Sequence, residues 1–198
     1  NGDGDKVENT DQDIVSGIIK LDLKAGDSHS LKLGANIYRN EFFANSYFQD
    51  VDSQQFTADY AYSPGGDLID LRVNAYYNSV KMKYMGAIRA SSALGRVIED
   101  GGFGGDITNT SRFALGPVRV STSYGVEYFK DDVDVRNSDT VPDRGVNPSG
   151  ESAISSIFST TTFTYGIADL IVGLRYDHFT VEGKGSVTDA NPLGMPAG

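Results

Sequence analysis

Cysteine is absent from the 198-residue chain, which excludes a disulfide scaffold, a thiolate metal site and a thiol nucleophile. Positive charge is scarce: 17 Lys and Arg stand against 27 Asp and Glu, a formal net charge of −10. A nucleic-acid partner needs a basic footprint to neutralise phosphates, so that class of function is excluded too. No apolar run approaches the roughly 18 residues of a membrane-spanning helix, and helical periodicity is nearly missing. The motifs of bond-making chemistry are missing as well: no G-x-S-x-G elbow, no P-loop and no H-E-x-x-H. The chain reads as no enzyme. What it does contain is 10 Phe, 11 Tyr and 23 Gly, too aromatic for disorder. It opens at Asn1 without a targeting signal and ends in the loop-like stretch 191–198, so it is read as a piece of something longer.

Period-two alternation recurs along the chain, the signature of strands with two different faces. The clearest case is Leu68–Met82, where Ile69, Leu71, Val73, Ala75 and Tyr77 alternate with Asp70, Arg72, Asn74, Tyr76 and Asn78. The same pattern marks Asp13–Lys24, His29–Asn40, Gln54–Tyr62, Val118–Phe129 and Asp169–Val181. Asp106–Leu115 and Ser152–Tyr165 are weaker strands whose facing the pattern leaves open. Charged side chains gather on the parity opposite the apolar one.

The connections alternate in length. Short turns carrying Gly or Pro, which supply the φ values of tight reversals, follow the first, third, fifth and seventh strands. Long connections are expected over 41–53, 83–105 and 130–151. Tight turns at one rim and long loops at the other are the plan of an outer-membrane β-barrel. Lipid offers the backbone no hydrogen-bond partner, so without a spanning helix only a closed barrel can cross it. Tyr60, Tyr62 and Tyr165 lie beside the short turns, and Tyr77, Tyr128 and Tyr176 toward the long loops, as two aromatic belts would. The fold class is all-β, an antiparallel up-and-down meander of eight strands from a larger transmembrane barrel. The rival reading is a soluble β-rich adhesin or carbohydrate-binding sandwich, which also alternates.

Few residues point to a ligand. Gly101–Gly105 lacks the strand and helix of a phosphate loop and reads as flexible loop. Asp3, Asp5, Asp11 and Asp13 fail the order of a calcium loop. His29 and His178 share the apolar parity, where they would anchor at an interface rather than bind in the lumen. The candidates for ligand contact are Met82, Tyr84, Met85 and Arg89, since Met and Tyr can ligate haem iron and Arg could pair with a propionate.

Several phrases resemble one family. Gly173-Leu174-Arg175-Tyr176-Asp177 is similar to a late-barrel strand of TonB-dependent outer-membrane receptors. The stretches 29–40, 67–78 and 109–113, and Tyr124-Gly125-Val126-Glu127-Tyr128-Phe129 before Asp131-Asp132, resemble the haem/haemoglobin (transferrin/lactoferrin) receptor branch. The resemblance covers roughly Val7 to Gly185. It implies a barrel of about 22 strands around an N-terminal plug, in the outer membrane of a Gram-negative cell, with the long loops extracellular and opening driven by TonB. Residues 1–198 would then be a partial barrel domain without plug or C-terminal strands. The implied partners are membrane lipid, the plug, TonB, and haem or a host haem protein; the implied alternative cargo is a ferric siderophore. Haem would be the transported ligand, not a resident cofactor, and the branch's haem-binding boxes lie beyond this segment. On this plan Lys20, Asp22, Lys32, Asp59, Asp70, Arg72, Arg119, Glu127, Arg175 and Asp177 face the lumen and hold the plug.

Overall fold

The computed structural model describes residues 10–44, 47–87, 95–136 and 148–184. They form one sheet of eight antiparallel strands in sequence order. The strands are β1 (Gln12–Ala25), β2 (His29–Ala44), β3 (Tyr47–Tyr62), β4 (Leu71–Ala87), β5 (Val97–Leu115), β6 (Val118–Arg136), β7 (Ser149–Tyr165) and β8 (Ala168–Lys184). Each pairs with its sequence neighbours alone, so β1 and β8 are edges and the sheet does not close. The meander follows from the turns: Gly116 and Gly166 take φ of +58° and +59°. A positive φ at the first turn position matches the twist of the flanking strands.

One layer leaves no interior. Val120, at 3% exposure, is the only buried hydrophobic among the described residues, while Ile19, Ile107, Leu174 and Tyr176 are all exposed. A soluble sandwich would cover such a face with a second sheet, and the described residues supply none. The sheet is a wall, consistent with a fragment of a larger transmembrane barrel.

The pairing register settles the facing that alternation left open. Leu33 lies opposite Ala58, Ala58 opposite Ala75, Ala75 opposite Gly105 and Gly105 opposite Tyr128. Followed across the sheet, the apolar parity of every strand falls on one face, with Ile107, Phe113, Ile157 and Phe163 from the two weak segments on it. Tyr60, Tyr62, Tyr77, Tyr128, Tyr165 and Tyr176 share that face.

Two expectations need correction. The described parts of 41–53, 83–105 and 130–151 are almost all strand, because β2, β3, β4, β5, β6 and β7 run on past the segments with clear alternation. Gly101–Gly105 belongs to β5 and is no loop. Glycine is required at 104, where an added Cβ would stand 2.8 Å from the Tyr128 carbonyl oxygen. Connection lengths therefore alternate less than expected: 45–46 joins β2 to β3, whereas 63–70 precedes β4. That last segment stays tied to β5, with Asn109 Nδ2 and Ser111 Oγ both donating to the Leu68 carbonyl at 3.0 and 2.8 Å. The second correction concerns charge. At the end of the sheet away from the short turns, Asp13, Arg39 and Lys81 stand on the apolar parity.

Candidate functional site

The polar face holds the residues expected to meet a lumen. Lys20, Asp22, Lys32, Asp59, Arg72, Arg119, Glu127, Arg175 and Asp177 share it by register. Asp70 joins them through Arg112, whose Nη2 donates to its Oδ2 at 2.9 Å. Lys32 lies opposite both Asp22 and Asp59.

The best-organised cluster centres on Arg175 of β8. Its Nη1 donates to Glu127 Oε2 at 3.1 Å, its Nε to Asp177 Oδ1 at 2.8 Å and its Nη2 to Ser156 Oγ at 2.8 Å. Ser156, 6% exposed, donates in turn to Asp177 Oδ1. The guanidinium carbon lies 5.7 Å from the Phe158 ring centroid, within cation–π range. Three strands are thus tied together by one planar donor, a role Lys could not fill with its single point charge. Sequence parity selected Glu127, Arg175 and Asp177 but passed over Ser156, because a Ser/Thr-rich strand carries no charge to mark its face. Asp106 was passed over because the facing of its strand was open, and Asn74 because an uncharged amide gave no sign of a partner: Asn74 Nδ2 donates to Asp106 Oδ1 at 2.8 Å, and Thr108 Oγ1 to Asp106 Oδ2 at 3.1 Å.

The four candidate ligand residues do not form one site. Met82 and Tyr84 lie on the polar parity of β4, opposite Val51 and Gln49, where Tyr47 meets Tyr84 edge-on with centroids 5.4 Å apart. Met85 is the extra residue where the β3–β4 register shifts; it is exposed and lines a recess with Phe42 and Phe48. Arg89 lies outside the described residues. Among those residues no group of three or more His, Cys, Asp or Glu could hold a metal.

The apolar face changes character along the strands. His29 stacks on Tyr62 at 4.6 Å and meets the Tyr60 hydroxyl through Nδ1 at 2.8 Å, beside the short turns. Farther up come Phe56, Tyr77, Phe103 and Tyr128, with Phe56–Tyr77 and Phe103–Tyr128 centroids 6.3 and 5.8 Å apart. Beyond them the same face carries a lattice of ion pairs. Arg39 approaches Glu41, Asp50 and Asp52 at 3.0, 3.7 and 3.8 Å, and Lys83 approaches Asp50 at 3.4 Å. Lys81 and Arg136 both grip Glu99, Arg136 also reaches Asp134 at 3.3 Å, and Lys130 pairs with Glu151 at 2.6 Å. The hydrogen bond from Lys81 holds the Glu99 carboxyl below the usual glutamate range; desolvation opposes it, and the charge of Arg136 adds a lesser pull downward. Asp50, 3% exposed, has no hydrogen bond at Oδ1 and meets Arg39 there only at ion-pair distance.

A family model described as "TonB dependent receptor-like, beta-barrel" matches residues 5–195. No curated protein matches the chain. Solved structures similar in fold include two transport proteins. A double mutant of the Serratia marcescens hemophore receptor HasR, in complex with its hemophore HasA and heme, aligns with 86% of this chain at 17% identity and a TM-score of 0.65. The ferric citrate transporter FecA in its unliganded form aligns with 90% at 11% identity and a TM-score of 0.68. The chain spans 32% and 31% of those two chains.

Proposed function

Because the chain belongs to the TonB-dependent receptor-like β-barrel family, we propose that it is part of the wall of an outer-membrane receptor importing haem, or iron taken from haem proteins. The observation that carries the transport reading is the division of one sheet into an apolar face and a cross-linked polar face. A wall with lipid on one side and a wet lumen on the other needs both, and among the described residues no second sheet covers the apolar face as a sandwich would.

In the whole receptor, the polar face lines the lumen around a plug, and TonB acts on a part outside this chain. Arg175, Glu127 and Asp177, already bonded to one another, present a rigid surface with lone pairs and N–H groups left over for plug backbone. Lys20, Lys32, Arg72 and Arg119 offer charge to plug carboxylates. Function here is binding and gated passage, with no bond made or broken. The haem assignment rests on the receptor-branch phrases of the sequence, on the likeness to a receptor solved with heme, and on Met82 and Tyr84 sharing the lumen-side parity. A ferric chelate is the second reading, and the likeness to the ferric citrate transporter speaks for it.

Absorption spectroscopy of the purified full-length receptor separates the two. A Soret shift on adding haem, unaffected by ferric siderophores, is the expected result. A receptor that quenches with a siderophore and leaves the haem spectrum unchanged would assign the cargo to the second class.

A further inference from the structure

On the polar face the two signs of charge are sorted along the strands. Lys20 and Lys24 on β1, Lys32 on β2, Arg72 on β4, Arg112 on β5 and Arg119 on β6 all lie within five residues of the short-turn end of their strand. Arg175 lies seven residues from that end of β8. Within the strands, the register places no other Lys or Arg on this face; Arg96 lies outside them, in the connection before β5. Asp22, Asp59, Asp70 and Asp169 share the short-turn stretch, so cations outnumber acids there. Farther from the turns the same face carries Asp100, Asp106, Glu127, Asp131 and Asp177, with no Lys or Arg.

The pairing differs between the two stretches. Among the described residues, only Arg112 and Arg175 of the seven cations form ion pairs, with Asp70 and with Glu127 and Asp177. On the acidic side Asp106 is bonded by the neutral groups of Asn74 and Thr108. It also stands directly opposite Glu127, and like charges facing each other across a sheet cost stability. Stability of the sheet alone would favour mixing the signs.

Distance decides how the sorting acts. Arg119 and Asp131 are 12 residues apart on β6. At about 3.3 Å per residue that is about 40 Å, several times the screening length of about 8 Å at physiological salt. A ligand moving along the wall therefore meets an acidic stretch and a basic stretch in turn, not their average. An anion is repelled by the first and held by the second, and a cation the reverse.

We propose that this wall is sorted for an anionic cargo, and that Lys24, Arg72 and Arg119 receive its carboxylates or similar groups at the short-turn end of the lumen. The acidic stretch behind it opposes return. Short turns face the periplasm in a barrel of this plan, so the basic stretch is the last part of the wall that the cargo touches. While the plug fills the lumen, its own carboxylates occupy the same cations, and the cargo replaces them as the plug gives way. Haem, with its propionates, and ferric citrate share the required chemistry. This inference rests on the transport reading above and adds the sign of the cargo.

The test uses the full-length receptor, at matched expression, in cells without other iron importers. Radio-iron is supplied as haem, as ferric citrate or as ferrioxamine B, a ferric chelate of net positive charge. Binding is read on de-energised cells and uptake on energised ones. Uptake of at least one anionic probe is expected, with ferrioxamine B at the receptor-free background. Lys24→Gln, Arg72→Gln and Arg119→Gln combined should lower that uptake at least fivefold and leave binding within twofold. Lys24→Arg, Arg72→Lys and Arg119→Lys combined keep the charge and should keep uptake within twofold. Unchanged uptake in the neutral variant overturns the proposal, as does import of ferrioxamine B in preference to both anions; either result leaves the transport reading standing. Joint loss of binding and uptake, or entry of vancomycin through the neutral variant, assigns the cations to the fold or the plug and overturns it too. An unsubstituted receptor that imports none of the three probes removes the transport reading together with the inference.

Discussion

Glu99 shows how a single carboxylate can serve two strands. Lys81 on β4 and Arg136 on β6 converge on it, so deleting its charge leaves two cations facing each other with no acid between. Its folded-state pKa lies below the ordinary value because the charged form gains a hydrogen bond from Lys81 and the field of Arg136. The linkage sign follows: a depressed carboxyl stabilises the fold above its unfolded pKa, and that contribution is lost as pH falls through the lower folded value. Comparing the full-length receptor with Glu99→Gln during urea unfolding in detergent should therefore show a stability gap at neutral pH. The gap should close as the medium is acidified through the glutamate range and below. A gap unchanged at acid pH would mean that the carboxylate's charge contributes nothing. Asp100, one residue on and on the opposite face, behaves in the reverse sense. Partial burial and the nearby Asp131 charge raise its pKa, so it favours the folded state as it becomes protonated.

At the scale of the strand, the difference between faces is testable by placing the same charge on each. Ile107→Arg puts a guanidinium on the apolar face of β5, among Val73 and Val126. Near the bilayer midplane that should cost about 2–4 kcal/mol. Ser123→Arg, on the polar face opposite Thr110 and Thr160, should cost well under half as much. Heat-modifiable mobility and urea midpoints of the folded receptor read the difference, and equal losses would contradict the assignment of faces. Such strands are the part of the fold most legible in the sequence. Leu71, Val73, Ala75 and Tyr77 alternate with polar neighbours, and lipid on one side leaves that rule few exceptions. The strand ends were hidden because the polarity of the alternation changes there. Lys81 and Lys83 alternate with Val80, Met82 and Tyr84 just as regularly, but with the polarity reversed, and a reversed alternation rich in charge and glycine looks like loop. The Arg175 cluster was half legible: charge marked its acids, while Ser156 and the partners of Asp106 carry no signal until the register sets them side by side.

At the scale of the whole molecule, the decisive property is that the described residues form a sheet with two open edges and almost nothing buried. Unpaired edge groups and a broad apolar face both invite association. Residues 1–198 expressed alone should therefore sediment as aggregate in detergent-free buffer and disperse on adding detergent. A monomer that unfolds cooperatively in water would contradict the barrel-wall assignment. The lines of paired residues across this wall have a further consequence, for the way it is put together. Because side chains repeat every two residues, a strand sliding by two past its neighbour keeps its oily side outward and its wet side inward. Hydrophobicity cannot detect that error. The bonds that can detect it are side-chain pairs at fixed positions: Asn74 with Asp106, Thr122 with Thr161 at 3.0 Å, Lys130 with Glu151, and Arg175 with Glu127. Such pairs, individually weak, together favour the correct alignment over one a single repeat away.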